Sequence, residues 1–191
     1  MLNKKNKAIF LDRDGTIIRQ VDELIQGEQL LLLPKAADAI KRFNQLGYLC
    51  VVVTNQPIIQ KGLITLKEAE QLNELLIKKL SQIGAHIDAV YMSPHSYPST
   101  CSCRKPAIGM IRRAQKKFNI DLNKSFMIGD STRDVATGVN AGTKTILVKT
   151  GDYGHGGRDS KFFDTKADYV VRNLLGAVRI IIDISKASRT K

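Results

Sequence analysis

Short β-branched runs alternate with longer segments of helical periodicity along this chain of 191 residues. Strands that alternate with helices form a mostly parallel sheet with helices on both faces. The sequence therefore predicts a doubly wound α/β fold, in which ligands bind at the carboxyl ends of the strands. The runs predict strands at Ala8–Leu11, Leu49–Thr54, Ala89–Met92, Ser125–Ile128, Lys144–Val148 and Asp168–Val171. The segments between them predict helices at Lys35–Leu46, Leu66–Ile83, Ile108–Phe118, Thr132–Asn140 and Leu174–Ile184.

The length of the chain fits one domain, and we expect residues 1–191 to form it. Neither the segment after Asp14 nor the one after Thr54 is long enough for a separate cap domain, so loops should cover the ligand site. The second helix has the clearest sequence signals, because Thr65 and Glu68 form a capping box before it and Gly84 follows it. Residues 185–191 are predicted to be a frayed basic tail.

The net charge of +12 indicates an anionic partner, such as a phosphorylated small molecule or a nucleic acid. Only 6% of the residues are aromatic and none is tryptophan, which argues against a surface that stacks on nucleic-acid bases. No apolar segment has the length of a membrane span or a secretory signal, so we expect a cytoplasmic protein that does not enter a membrane.

Two aspartates directly follow the first predicted strand, in the segment Ile9–Thr16. Side chains of extended backbone repeat every two residues, so Asp12 and Asp14 leave the strand on the same side. Neighbouring carboxylates repel each other unless a cation lies between them, and Mg²⁺ prefers oxygen ligands of this kind. The pair indicates phosphoryl chemistry, with Asp12 as nucleophile and Asp14 as proton carrier. The alternative is an ordinary turn, in which Asp and Gly are common.

Polar side chains also follow the other predicted strands. The second strand ends at Thr54, which Asn55 follows, and both side chains can donate hydrogen bonds to phosphate oxygens. Lys105 closes the loop after the third strand. Asp130 and Ser131 follow the fourth strand. Together with the paired aspartates, these groups meet the needs of Mg²⁺-dependent phosphoryl transfer: a metal site, a nucleophile and positive charge.

Each of these positions also has a structural interpretation. The segment from Thr54 to Pro57 could be a simple turn, and Lys105 could be a solvated surface charge. Ser131 and Asp134 have the spacing of a helix cap, so Asp134 could act mainly as a capping carboxylate.

The cysteines separate into two groups. Cys50 lies in an apolar run and should pack as a small buried hydrophobic residue. Cys101 and Cys103 flank a single serine. The odd number of cysteines and the cytosolic setting argue against a disulfide framework.

The order of the motifs closely resembles the haloacid-dehalogenase-like (HAD) phosphatases. The similarity extends from about Ala8 to Val148 and rests on Asp-x-Asp-Gly-Thr, Thr-Asn-Gln, a lysine and Gly-Asp-x-x-x-Asp. The segment Cys101–Pro106 after His95 looks like the subgroup that contains the heptose-bisphosphate 7-phosphatases and the histidinol-phosphate phosphatases.

The resemblance implies a role for each motif. Asp12 would attack phosphorus, and Asp14 would protonate the leaving alkoxide and then activate water. Mg²⁺ would be held by Asp12, by the backbone carbonyl of Asp14 and by Asp130. The residues expected to contact phosphate or substrate are Thr54, Asn55, Arg104, Lys105 and Ser131.

The chain departs from this subgroup at one zinc-ligand position. Zinc-binding members carry Cys-x-His and then Cys-x-Cys, whereas this chain has Ser93 in place of the first cysteine. A structural zinc site normally has four nitrogen or sulfur ligands. His95, Cys101 and Cys103 could therefore hold Zn²⁺ only if another group completed the site, and the alternative is a metal-free loop with two free thiols.

These observations predict a monomeric Mg²⁺-dependent phosphatase of a sugar bisphosphate. The resemblance implies that the foremost substrate is D-glycero-D-manno-heptose 1,7-bisphosphate, whose 7-phosphate would be removed through an aspartyl-phosphate. Histidinol phosphate and a polynucleotide 3′-phosphate remain open within the same class, although a nucleic-acid partner is not the expectation. A non-enzymatic signalling module that keeps phosphate on an aspartate is the alternative from another class.

Overall fold

The computed structural model describes residues 5–151 and 165–187. Within them the chain forms a six-stranded sheet whose strands all pair in parallel. The strands are β1 (Ala8–Leu11), β2 (Leu49–Asn55), β3 (Ala89–Ser93), β4 (Phe126–Gly129), β5 (Lys144–Val148) and β6 (Tyr169–Val171). The α-helices are α1 (Ala36–Gln45), α2 (Leu66–Ser81), α3 (Gly109–Phe118), α4 (Thr132–Ala141) and α5 (Leu174–Ala187). The doubly wound α/β prediction is confirmed.

The predicted bounds agree closely with the observed ones except at the carboxyl end of α5. This helix continues to Ala187, so the prediction of a frayed tail is wrong for residues 185–187. Ser185 contributes to the helix there, since its hydroxyl donates to the carbonyl of Ile181 at 2.7 Å. The rest of the predicted tail, residues 188–191, lies outside the described residues.

The strand order β3-β2-β1-β4-β5-β6 places β1 between β2 and β4. Along the chain, β2 and β3 are added on one side of β1, and β4 then pairs with β1 on its other side. This reversal is a topological switch point, where a crevice opens outside the carboxyl ends of the strands. Residues that follow β1, β2 and β4 therefore meet at one place on the sheet edge.

The core lies on both faces of the sheet, as the alternation within β1 shows. All four residues of this strand are fully buried. Ile9 and Leu11 pack in one hydrophobic cluster with residues of α1, α2 and α5, whereas Ala8 and Phe10 pack in a second cluster with residues of α3. Burial on both faces is the usual environment of a central parallel strand. It fixes the direction in which the residues after Leu11 leave the strand.

Across the described ranges, we find no helix with both the length and the apolar character that a bilayer crossing requires.

Candidate active site

Asp12 lies at the point where β1 and β4 end side by side. Its backbone N–H donates to the carbonyl of Ile128 at 3.0 Å, which extends the pairing of the two strands by one residue. Its carboxylate oxygen Oδ1 lies 2.8 Å from Lys105 Nζ. The same ammonium group lies 2.6 Å from Oδ1 of Asp134, and Lys105 is only 4% exposed. Lys105 is therefore a buried cation between two carboxylates and not a solvated surface charge.

Three carboxylates converge beside this lysine. Oxygens of Asp12, Asp130 and Asp134 all lie within 4.8 Å of one another. Three negative charges less the positive charge of Lys105 leave two, which matches a divalent cation. Hard oxygen donors are the ligands that Mg²⁺ prefers, so the residues present fit this ion. Asp12 and Asp130 are two of the three metal ligands predicted from the sequence, and Asp134 was not among the three.

Asp134 has two roles, of which the sequence analysis favoured only one. The hydroxyl of Ser131 donates to Asp134 Oδ2 at 2.6 Å, and the capping box at the start of α4 is complete. The other oxygen, Oδ1, faces Lys105 and the carboxylate cluster. The spacing Gly-Asp-x-x-x-Asp was the available signal for this second role. The interpretation of Asp134 mainly as a cap was therefore incomplete.

The backbone of two glycines lies close to the Asp130 carboxylate. A Cβ atom at Gly15, which has a φ of +73°, or at Gly151 would overlap with Asp130 Oδ2. The hydroxyl of Thr16 donates to the other oxygen, Oδ1, at 3.4 Å. Gly15 belongs to the predicted motif, whereas Gly151 comes from the segment after β5, and no local pattern in the sequence marks it. Close backbone on one side and a hydroxyl on the other restrict where the carboxylate can point.

Burial and neighbouring charges shift the pKa values of the central ion pair in the same direction. Burial raises the pKa of Asp12 to about 6, and the nearby Asp134 carboxylate adds to the rise, while Lys105 opposes it. Burial alone would lower the pKa of Lys105, but the Asp12 and Asp134 carboxylates outweigh burial and raise it. Lys105 therefore keeps its charge. At Asp12, a proton competes with any cation that binds the carboxylate.

Asp14 lies beside the carboxylate cluster and has its own partners. Arg13 Nε donates to Asp14 Oδ2 at 3.1 Å, and Arg13 Nη2 lies 3.0 Å from the same oxygen. Gln56 Nε2 also donates to this oxygen, at 2.9 Å. The side chain of Asp14 is not in the metal-binding group found among the described residues. A contribution of Asp14 to the metal through its backbone carbonyl stays a prediction.

The remaining residues predicted to contact phosphate lie at this site, and two of them also hold the site together. Thr54 is 1% exposed, and its hydroxyl accepts a hydrogen bond from Gln56 at 2.9 Å. The side-chain amide of Asn55 bonds both backbone groups of Lys105, at 3.0 and 3.2 Å. The Ser131 hydroxyl caps α4. Direct phosphate contacts by Thr54, Asn55 and Ser131 stay predictions, whereas the structural contacts of Asn55 and Ser131 fix Lys105 and Asp134.

One cavity of about 170 Å³ joins these groups, and it opens above the carboxyl ends of β1, β2 and β4. Basic, acidic and apolar side chains line it. The guanidinium groups come from Arg104 and Arg133, and Arg104 is anchored by a 2.7 Å hydrogen bond to the carbonyl of His95. The other lining residues are Asp12, Asp14, Gln20, Val21, Asp22, Leu24, Thr54, Asn55, Gln56, Pro57, Ile58, Lys105, Asp130 and Ser131.

The predicted zinc ligands come together, but their sulfurs are already joined. His95, Cys101 and Cys103 have donor atoms within 4.8 Å of one another, and Ser93 Oγ lies 3.1 Å from Cys103 Sγ. Ser93 thus stands beside the cluster, where a fourth ligand would be needed. Cys101 and Cys103 form a disulfide, so the expectation of no disulfide is wrong for this pair. The turn brings their Cα atoms to 5.3 Å, a normal separation for a disulfide. Cys50 is buried, as predicted.

Because disulfide sulfurs are not thiolates, protein purified without reductant should contain far less than about one zinc per chain. Elemental analysis of the purified protein measures this ratio. Ser93→Cys is the matched variant, since it supplies the missing thiolate, and after reduction it should take up more zinc than the unaltered chain. About one zinc per chain in the unaltered, unreduced protein would contradict this expectation.

Comparisons with known proteins agree with the geometry. A family model described as HAD-hydrolase-like matches residues 102–177. The chain is 40% identical over 152 residues to a D-glycero-β-D-manno-heptose-1,7-bisphosphate 7-phosphatase of Pasteurella multocida, covering 76% of this chain and 83% of that protein. It is 36% identical over 160 residues to a D-glycero-α-D-manno-heptose-1,7-bisphosphate 7-phosphatase of Photorhabdus laumondii, covering 79% and 87%.

A solved structure is similar over most of the fold. It is the D,D-heptose 1,7-bisphosphate phosphatase of B. bronchiseptica complexed with magnesium and phosphate. Its TM-score is 0.83 at 29% sequence identity, and the match covers 93% of this chain and 99% of that one. The chain therefore belongs to the HAD-like phosphatases, in the family of the heptose-1,7-bisphosphate 7-phosphatases.

Proposed function

We propose that this protein removes the 7-phosphate of D-glycero-D-manno-heptose 1,7-bisphosphate through an aspartyl-phosphate at Asp12. The observation that carries the proposal is the contact of Lys105 with both Asp12 and Asp134, at 2.8 and 2.6 Å, because it joins three separate strand exits into one charged site. The relatives named for this activity support the choice of substrate. When bound, Mg²⁺ held by Asp12, Asp130 and Asp134 supplies positive charge to the phosphoryl oxygens.

In the first half of the reaction Asp12 is the nucleophile. One of its carboxylate oxygens forms a bond to phosphorus while the bond from phosphorus to the sugar oxygen breaks. Asp14 donates a proton to the departing alkoxide, since an alkoxide is a poor leaving group. Lys105 lies against the attacking carboxylate and stabilises the negative charge of the transferred group.

The second half returns Asp12 to its starting state. Asp14, now ionised, takes a proton from a water molecule, which attacks phosphorus and releases inorganic phosphate and the Asp12 carboxylate. A phospho-aspartate signalling module would instead retain the phosphate. Asp14, held at the cavity by Arg13 and Gln56, supports rapid discharge.

The lining of the cavity supports a substrate with a second anionic group. Arg104 and Arg133 both line it, in addition to Lys105. Guanidinium groups bind phosphate with paired hydrogen bonds. When one phosphate of a sugar bisphosphate lies at Asp12, the other lies within reach of the guanidinium groups of Arg104 and Arg133.

A substrate panel tests the proposal. Inorganic phosphate release is measured with the α and β anomers of the heptose bisphosphate, histidinol phosphate, simple sugar phosphates and a 3′-phosphorylated oligonucleotide. We expect the highest kcat/KM with a heptose bisphosphate, with heptose 1-phosphate as the product. A higher kcat/KM with any other compound in the panel would overturn the assignment of substrate. The panel includes both anomers because the relatives are named for both.

Asp14→Asn should lower kcat by about 10²–10⁴-fold, because asparagine can neither donate nor take up the proton. Its side-chain oxygen can still accept hydrogen bonds from Arg13 and Gln56, so the site should stay in place. Steady-state kinetics on the best substrate measure the loss. Asp22→Asn, at a carboxylate that lines the same cavity, is the control and should retain most activity. A kcat within about threefold of the unaltered protein would refute the proton-transfer role of Asp14.

The apparent affinity for Mg²⁺ should fall as the pH falls through about 6, since burial raises the pKa of Asp12 to that value. A proton and the metal compete for the same carboxylate, so the affinity is full above this pH and is lost below it. Calorimetric titration with Mg²⁺ above and below this pH measures the change. Circular dichroism confirms that the fold is intact at each pH. An affinity that does not change over this range would contradict the expectation.

We further propose that the active form is a cytoplasmic monomer of one domain that binds neither a membrane nor a nucleic acid. One chain supplies every side chain that the proposed mechanism uses, so the mechanism requires no second subunit. The net charge of +12 makes nucleic-acid binding worth testing, and a retained DNA complex at physiological salt would contradict this part of the proposal.

A further inference from the structure

Arg13, between the two aspartates of the motif, is a buried guanidinium group. Only 1% of the residue is exposed, although it carries a full positive charge. A buried charge is costly unless it is paired and hydrogen-bonded. Its Nε and Nη2 donate to the two oxygens of Asp14 at 3.1 and 3.3 Å, and its Nη1 donates to Asn73 Oδ1 at 2.9 Å. The side chain thus connects Asp14 with helix α2.

Asn73 lies on a helix face where an apolar residue would be expected. It is 5% exposed, and its neighbours on the buried face of α2 are Ala69, Leu72, Leu76 and Leu80. A buried amide is unfavourable there unless its hydrogen bonds are made, and asparagine is also a weaker helix former than leucine. Its oxygen accepts from Arg13, and its nitrogen donates to Met92 Sδ at 3.6 Å. The mechanism described above uses Arg13 only to hold Asp14, and it gives no role to Asn73.

We propose that Asn73 is a positioning residue for proton transfer: it holds Arg13, whose guanidinium group holds the Asp14 carboxylate at the cavity. The inference rests on the proposed function, because it requires Asp14 to be the acid and base. A guanidinium fork bound to both oxygens of a carboxylate restricts its rotation as well as its position. Gln56 adds to the restraint, since its Nε2 donates to Asp14 Oδ2 at 2.9 Å. Helix α2 thereby contributes to the chemistry through one amide.

Asn73→Leu tests this role, since leucine fits the apolar face but cannot accept from Arg13. The readout is the single-turnover rate of Asp12 phosphorylation with two kinds of substrate. An alkyl phosphate, such as the heptose bisphosphate, needs a proton on its leaving group, whereas p-nitrophenyl phosphate does not. We expect the alkyl rate to fall by about 10- to 100-fold and the p-nitrophenyl rate to fall by less than about threefold. A change in the ratio of the two rates separates proton transfer from a general loss of structure.

Two control variants accompany the test. Asn73→Asp keeps an oxygen acceptor for Arg13 and should retain the ratio of the unaltered protein. Leu80→Ala removes buried volume from the same helix without touching Arg13, so it should change both rates equally. If Asn73→Leu does not fold, the ratio is measured on Arg13→Lys, which keeps the charge and loses the fork.

The outcomes separate this inference from the proposed function. Equal slowing of both substrates, or no slowing of either, would overturn the role of Asn73. If the unaltered protein does not hydrolyse the heptose bisphosphate, the proposed substrate is wrong, and glycerol 2-phosphate replaces it as the alkyl substrate in the same comparison.

Discussion

Replacement of Asp12 by asparagine should reduce turnover to the background rate, a loss on the order of 10⁶-fold. The amide nitrogen that replaces one carboxylate oxygen is not a nucleophile, so no aspartyl-phosphate can form. The fold should tolerate the change. In the unaltered protein the Arg13 backbone N–H donates to Asp12 Oδ1 at 2.7 Å, and the side-chain oxygen of asparagine can accept the same hydrogen bond. Phosphate release over long incubations at high protein concentration measures the residual activity.

The matched control is Asp38→Asn in helix α1. Asp38 forms an exposed ion pair with Lys35 and is not among the residues that line the cavity, so its loss should leave kcat unchanged. Turnover by Asp12→Asn clearly above the background rate would refute the nucleophile assignment. Mass spectrometry must accompany the assay, because deamidation of the asparagine would restore the native aspartate.

Lys105→Met should lower the free energy of unfolding of the metal-free protein by about 3–5 kcal/mol and should also remove most activity. The substitution removes the buried cation that lies 2.8 Å from Asp12 and 2.6 Å from Asp134, and leaves these two carboxylates facing each other. Methionine has similar length and is apolar, so lost packing contributes little. Denaturant unfolding measures the free energy. Added Mg²⁺ should restore part of the lost free energy of unfolding, because the ion binds the same carboxylates.

Lys124→Met is the matched control for this measurement. Its ion pair with Asp121 is 3.5 Å long, and the lysine side chain is 75% exposed, so the change should be below about 1 kcal/mol. An equally small effect of Lys105→Met would show that the Lys105 contacts do not stabilise the site. A large effect that Mg²⁺ does not reduce would contradict the shared use of the carboxylates.

Local patterns predicted the fold well because its elements have strong local signals. The apolar run Ala8–Leu11 coincides with β1, since burial on both faces leaves no polar position in a central strand. The capping box of Thr65 and Glu68 is present at the start of α2, and Gly84 after that helix has the positive φ of a turn. Ser185 was less predictable, because its side chain can join a helix or leave it.

The site was predictable only where it follows the strand ends. Asp12, Asp130 and Lys105 meet because parallel strands end at one edge, which the α/β pattern implies. The contacts of Arg13 with Asn73 and of Gly151 with Asp130 join parts of the chain that are far apart, and no sequence spacing indicates them. The disulfide between Cys101 and Cys103 depends on the turn geometry of their loop. Long-range packing therefore determines how the predicted groups are held.

Acid quenching during turnover, followed by mass spectrometry of the peptide that contains Ile9–Thr16, tests the covalent mechanism most directly. We expect one phosphoryl group on Asp12, with rate constants for its formation and its hydrolysis that are each at least as large as kcat. Turnover at the full rate with no phosphate on Asp12, or with phosphate on another residue, would contradict it.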